Sequence, residues 1–151
     1  MKKFSFRLER LLHLKQGAED QQAKKLVNSM QSAEEVRARA ENSAGRKEEA
    51  EKQMGDIRTG GIPAGVLHAA ELALRAVRGK SDSDARDYRT AKANVVGEEA
   101  RFHEARKERR SLERLREKHH HAWSSELKRY EQAETDAIAA RTKPRLDGGK
   151  T

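Results

Sequence analysis

Cysteine is absent from the 151-residue chain, so no disulfide staples the fold and no thiolate is there to hold a metal. Only two prolines interrupt it, and aromatic residues supply just 4%. Hydrophobic residues of every kind reach 34%, and the mean hydropathy is −1.07. A compact domain of this length buries a sizeable apolar core, and the material for one is missing. No stretch approaches the roughly 18 apolar residues of a membrane-spanning helix. The opening MKKFSFRLERLLHLK is basic like the start of a secretory signal, but Arg7, Glu9, Arg10 and His13 interrupt any apolar segment behind it. A cytoplasmic protein is expected.

What the chain has in quantity is charge. Charged residues make up 38%, with 33 Lys and Arg against 25 Asp and Glu, for a net charge of +8. Together with abundant alanine and leucine, this is the composition of coiled coils and long helices. The positive balance invites an acidic partner: nucleic acid, a membrane surface or an acidic protein face.

Helix breakers cluster in one region. Gly55, Gly60, Gly61, Pro63 and Gly65 are followed by Gly79-Lys80-Ser81-Asp82. The spacing predicts a helix over about 3–54, a broken middle over 55–82 with a short helix of its own at 66–78, a second helix over about 83–140, and a frayed tail at 141–151. Ser81, Asp82, Ser83 and Asp84 are all competent N-caps for the second helix. At 1.5 Å per residue the two long helices would measure roughly 80 and 90 Å. Neither is stable alone with so polar a surface, and each needs its apolar stripe covered.

The later segment carries the clearest period. Alternate steps of three and four from Tyr88 meet Ala91, Val95, Glu98, Phe102, Ala105, Arg109, Leu112, Arg116, His119, Trp123, Glu126, Tyr130, Ala133 and Ala137. That 3.5-residue repeat keeps one stripe facing a partner helix. In the earlier segment Phe4, Leu8, Leu11 and Ala18 share one stripe, and Ala23, Leu26, Met30, Ala33, Ala40 and Ala44 another. The two are out of phase near Gly17–Gln22, which predicts a stutter. The fold class expected is all-α: a single elongated domain, a long antiparallel two-helix coiled-coil hairpin with a broken middle. A turn centred in that middle sets Leu8, Leu11 and Leu12 against Trp123, Leu127 and Tyr130. The expected seam residues are Leu8, Leu11, Leu26, Met30, Phe102, Leu112, Trp123 and Tyr130.

Catalytic chemistry is sparse. Gly148-Gly149-Lys150-Thr151 ends like a phosphate-binding loop, but Pro144 stands where that loop needs its first glycine. His119, His120 and His121 stand consecutively, about 100° apart on a helix, and cannot converge on one tetrahedral ion. No enzyme, metal, cofactor or small-molecule substrate is expected. The block from Arg101 to Arg129 has more cations than its glutamates can pair. Folding the chain into a hairpin brings Lys2, Lys3, Arg7 and Arg10 together with the later cations Arg106, Lys107, Arg114 and Arg116 into one basic terminal tip, the candidate partner-binding surface. Nucleic acid is the disfavoured partner, because a reader of nucleic acid adds stacking aromatics, whereas Phe102, Trp123 and Tyr130 fall on the seam.

Three passages resemble the FliJ family of flagellar export proteins. Arg7, Leu8, Glu9, Leu11 and Leu12 match its R-L-E-x-L-L-like opening. Arg106, Lys107, Leu112, Glu113, Leu115 and Glu117 match its late R-K-x-x-x-x-L-E-x-L-x-E-like run, and Asp136, Ile138 and Ala139 its close. The resemblance implies a non-catalytic component of the flagellar type III export apparatus, similar to the two-helix stalk of rotary ATP synthases. It implies association with the hexameric export ATPase, the export gate membrane protein and export chaperones, peripheral to the cytoplasmic face of the inner membrane, in the service of flagellum assembly and motility. The alternative class is a basic helical hairpin that binds nucleic acid or serves as a scaffold.

Overall fold

The computed structural model describes residues 3–142. Among them are two α-helices packed against each other and no strand, an all-α helical hairpin: α1 spans Glu9–Thr59 and α2 spans Ala64–Thr142. Residues 3–8 are irregular, until the Leu8 carbonyl accepts the Leu12 N–H at 2.9 Å and the helical ladder begins. Glu9 in the first turn complements the positive end of the helix dipole, and Arg58 and Arg141 stand in the last turns of α1 and α2. The residues expected to form a frayed tail lie outside the described residues from 143 onward.

Only Gly60, Gly61, Ile62 and Pro63 separate the helices. Gly61 adopts φ +68°, the left-handed conformation that ends a helix and that a Cβ disfavours. The Gly60 N–H donates to the Ile57 carbonyl at 3.3 Å, and the Thr59 hydroxyl donates to the Asp56 carbonyl at 2.9 Å, so exposed carbonyls of the last turn find partners. Beyond the turn, the Pro63 carbonyl receives the N–H groups of Val66 and Leu67 at 3.0 and 3.2 Å and starts α2. The expected break over 55–82 is thereby corrected. Gly55, Gly65 and Gly79 are helical, residues 66–78 are the first turns of α2, and Ser81, Asp82, Ser83 and Asp84 sit inside the helix instead of capping it. A glycine costs about 1 kcal/mol in a helix interior. Burial of Met54 and Leu74 on the neighbouring turns offsets that.

The chain divides into two compact units, one formed by Gly17–Arg106 and one joining the residues up to Gln16 with those from Lys107 on. In the first of these, Met54 and Leu74 are buried near the turn, and Leu26, Val36, Tyr88, Val95 and Phe102 are half-buried along the same seam. Ion pairs link the antiparallel segments there, among them Lys47–Asp82 at 3.9 Å, Glu51–Arg78 at 2.8 Å and Arg58–Glu71 at 3.2 Å. In the terminal unit the buried apolar side chains are Phe6 and Leu12, and Lys15–Glu108 at 2.6 Å and Glu9–Arg116 at 3.2 Å link the segments.

The covered face of α1 recurs at alternate steps of three and four: Leu12, Lys15, Glu19, Gln22, Leu26, Ser29, Ala33, Val36, Ala40, Ser43, Lys47, Ala50, Met54 and Ile57. There is no stutter near Gly17–Gln22, because polar side chains hold the seam positions there and the phase runs through. Two seam expectations are corrected as a result. Leu12 is covered and Leu11 exposed, and the half-buried Ser29 takes the place expected for Met30, which is 54% exposed. Tyr130, 53% exposed, is also uncovered, because α1 does not run alongside that part of α2. Leu8, Leu26, Phe102, Leu112 and Trp123 are half-buried on the covered side.

Candidate functional site

The expected partner-binding cations fall mostly in the terminal unit. Its organisation starts from aromatic residues at the beginning of the chain. Phe6 packs edge-on against His119, with ring centroids 5.8 Å apart, and Phe4 meets His120 edge-on at 5.0 Å and Trp123 at 5.8 Å. His120 and Trp123 are themselves 5.8 Å apart. Edge-to-face geometry sets the positive ring edge on the negative ring face and adds to the area buried. His119 and His120 are therefore a docking strip for the N-terminal segment. Among the described residues no group of three His, Cys, Asp or Glu is placed to hold a metal.

This arrangement replaces the expected facing of Leu8, Leu11 and Leu12 against Trp123, Leu127 and Tyr130. The turn at 60–63 lies at the N-terminal edge of the breaker-rich stretch, so each α1 residue faces a position further from the C-terminus of α2 than a centred turn would give. Phe4 reaches Trp123, and Glu9 reaches Arg116.

Lys3, Arg7, Arg10, Lys107, Arg114 and Arg116 all belong to this terminal unit and are exposed. Arg106 is half-buried, its Nε without a hydrogen-bond partner, and belongs to the other unit. Lys2 lies outside the described residues. Arg116 is engaged by Glu9, whereas Lys3, Arg7, Arg10 and Arg114 form no ion pair among the described residues. A cleft of about 730 Å³ opens beside Phe4, lined by Glu113, Arg116, Glu117, His120, His121 and Ser124. Its mixed charges suit it to binding a polar surface.

A second polar site escaped sequence reasoning. Asp84 is 0% exposed, and Ser43 and Ser81 are buried with it. The Lys80 ammonium donates to Asp84 Oδ1 at 2.8 Å. That hydrogen bond, aided by the Ser43 hydroxyl and the nearby Arg39, holds the Asp84 carboxyl below its ordinary value although burial acts the other way. Oδ2 has no hydrogen-bond partner among the described residues, and the Ser43 hydroxyl lies within 3.1 Å of the Ala40 carbonyl, an alternative acceptor for its single proton. A shallow cleft of about 680 Å³ runs past Asp84 between Ala38, Asn42 and Arg46 on α1 and Ala76 and Val77 on α2. The signal for this layer was available: three-and-four steps backwards from Tyr88 land on Asp84, Ser81, Val77, Leu74, Ala70 and Leu67.

No helix of the described residues is long and apolar enough to cross a membrane. No match is found among curated proteins or among solved structures. A family model described as "Flagellar FliJ protein" matches residues 4–145. With the match running over almost the whole helical hairpin, the chain belongs to the FliJ family, whose members are non-catalytic components of the flagellar protein export apparatus.

Proposed function

We propose that the protein is a coiled-coil connector of that apparatus, and that its basic terminal unit engages an acidic surface of the hexameric export ATPase. The observation that carries this reading is the set of exposed cations Lys3, Arg7, Arg10 and Arg114 in one unit, which form no ion pair among the described residues. The aromatic docking of Phe4 and Phe6 supports it, because it ties the N-terminal residues to α2. Opposite charge across such an interface speeds encounter and fixes orientation more than it adds affinity. The same reading takes the export gate membrane protein and the export chaperones as further partners, at the cytoplasmic face of the inner membrane.

The test is charge reversal at Arg7, Arg10 and Arg114 together. Arg116 is kept, because Glu at 116 would face Glu9 across their ion pair. A variant that retains its helix content should stimulate ATP hydrolysis by the export ATPase at least about tenfold less at low salt, as expected when several steering charges are inverted. It should also restrict motility. Undiminished stimulation by the folded variant would refute the role of the basic unit. Binding of duplex DNA with a steep salt dependence would support the nucleic-acid class instead.

A further inference from the structure

Beyond the end of its cover, α2 keeps the pattern of a covered helix. Every residue from Lys128 to Arg141 is exposed. Yet the stripe that carries Phe102 and Trp123 continues without a phase change through Glu126, Tyr130, Ala133, Ala137 and Ala140. A helix needs no 3.5-residue apolar repeat where it faces only water. The stripe prolongs an interface that the same helix already makes with α1. It is therefore shaped for another helix.

We propose that the occupant is the same stretch of a second copy of this chain, paired antiparallel. With Tyr130 of one copy over Ala133 of the other, Glu126 lies over Ala137, so each large side chain meets a small one. In antiparallel pairs the residues that precede the first seam position of each heptad face each other across the joint. Here those are Arg129 and Asp136, which meet as two opposite-charge pairs by symmetry. Arg129 has no ion pair among the described residues. Asp136 takes one hydrogen bond, from Gln132 at 2.9 Å, and its carboxylate keeps free lone pairs. Sliding one copy by a heptad sets Asp136 against Asp136 and Glu134 against Glu134. An in-register parallel pair satisfies Arg129 with Glu134, but it stacks Glu126 on Glu126 and crowds two seams already filled by Phe4 at Trp123. A two-fold antiparallel joint avoids the glutamate stack, sets only the small Ala140 over Trp123, and is self-complementary.

So short a pair of segments buries less than the roughly 1,200 Å² of a standard stable interface, and the dimer dissociates at about micromolar to millimolar concentrations. This self-association is independent of the connector role and is measured on the full chain alone. Sedimentation equilibrium should show a reversible monomer–dimer system. Ala133→Glu with Ala137→Glu, both at exposed positions, should leave helix content intact and abolish the dimer. Arg129→Glu alone should weaken it about tenfold, as two inverted exposed pairs would. Adding Asp136→Arg to Arg129→Glu should restore it, because the antiparallel pairs are then re-formed with swapped signs. The same swap in a parallel dimer would set Glu against Glu and Arg against Arg. A strictly monomeric chain, a dimer indifferent to the alanine substitutions, or failure of the charge swap to rescue would each overturn the proposal.

Discussion

Lys80 and Asp84, one helical turn apart on α2, form a hydrogen-bonded ion pair whose acidic end is fully buried while its basic end stays exposed. Asp84 stands on the seam, beside Ser43 and Ser81, where a coiled coil ordinarily places aliphatic side chains. Removing Lys80 would leave the buried Asp84 carboxylate without its cation, a costly arrangement, whereas removing Asp84 leaves Lys80 in solvent.

The pH dependence of this layer has a defined sign. The folded-state value of Asp84 lies below the ordinary 3.8. Its contribution is therefore fully present above pH 3.8 and is lost as pH falls through the lower folded value. Asp84→Asn should melt earlier than the parent near neutrality. In thermal melts monitored by circular dichroism, the gap between the two should close below about pH 4. A gap that stays constant down to pH 2 would assign the effect to shape alone.

The terminal unit offers a contrast between neighbours two residues apart. Leu12 is 2% exposed and Leu14 is 67% exposed. Leu12→Ala should cost about 2–3 kcal/mol, the lower part of the range for buried leucines because the seam is thin and can collapse. Leu14→Ala should change stability by less than about 0.5 kcal/mol. Chemical denaturation of both variants checks the phase of α1 directly.

One substitution should have opposite effects at two glycines. At Gly61, where φ is +68°, alanine adds strain and should destabilise the hairpin by about 1 kcal/mol. At Gly79, which is helical and where an added methyl group would meet nothing within 4 Å, alanine should stabilise by up to about 1 kcal/mol. Equal effects at the two sites would contradict the position of the turn.

The seam from Tyr88 to Leu112 was legible because its apolar side chains recur at the 3.5-residue period. The turn was not, because five glycines and a proline in one region read as a broken segment. Propensity alone cannot tell Gly61, whose backbone conformation needs glycine, from Gly55, Gly65 and Gly79, which packing holds in helix. On α1 hydrophobicity misled by one residue twice. Leu11 and Met30 are more apolar than several true seam residues, yet the phase set by Leu26, Ala33, Val36 and Ala40 selects Leu12 and Ser29. Asp84 was hidden for the same reason, as a charge on a stripe searched for aliphatic side chains. The basic terminal residues were legible as charge, but the aromatic contacts that position them depend on the register and so on the turn.

The register itself is tested most directly by a distance. Val27 and Val96 are both exposed, lie on different helices of the same unit, and accept spin labels without disturbing the seam. A turn at 60–63 sets them nearly level, so pulsed electron resonance should report a narrow distribution at about 10–20 Å, a helix–helix spacing plus label reach. A turn centred in the 55–82 stretch would displace them along the helices by several turns of 5.4 Å each, and a distribution centred beyond about 25 Å would contradict the hairpin described above.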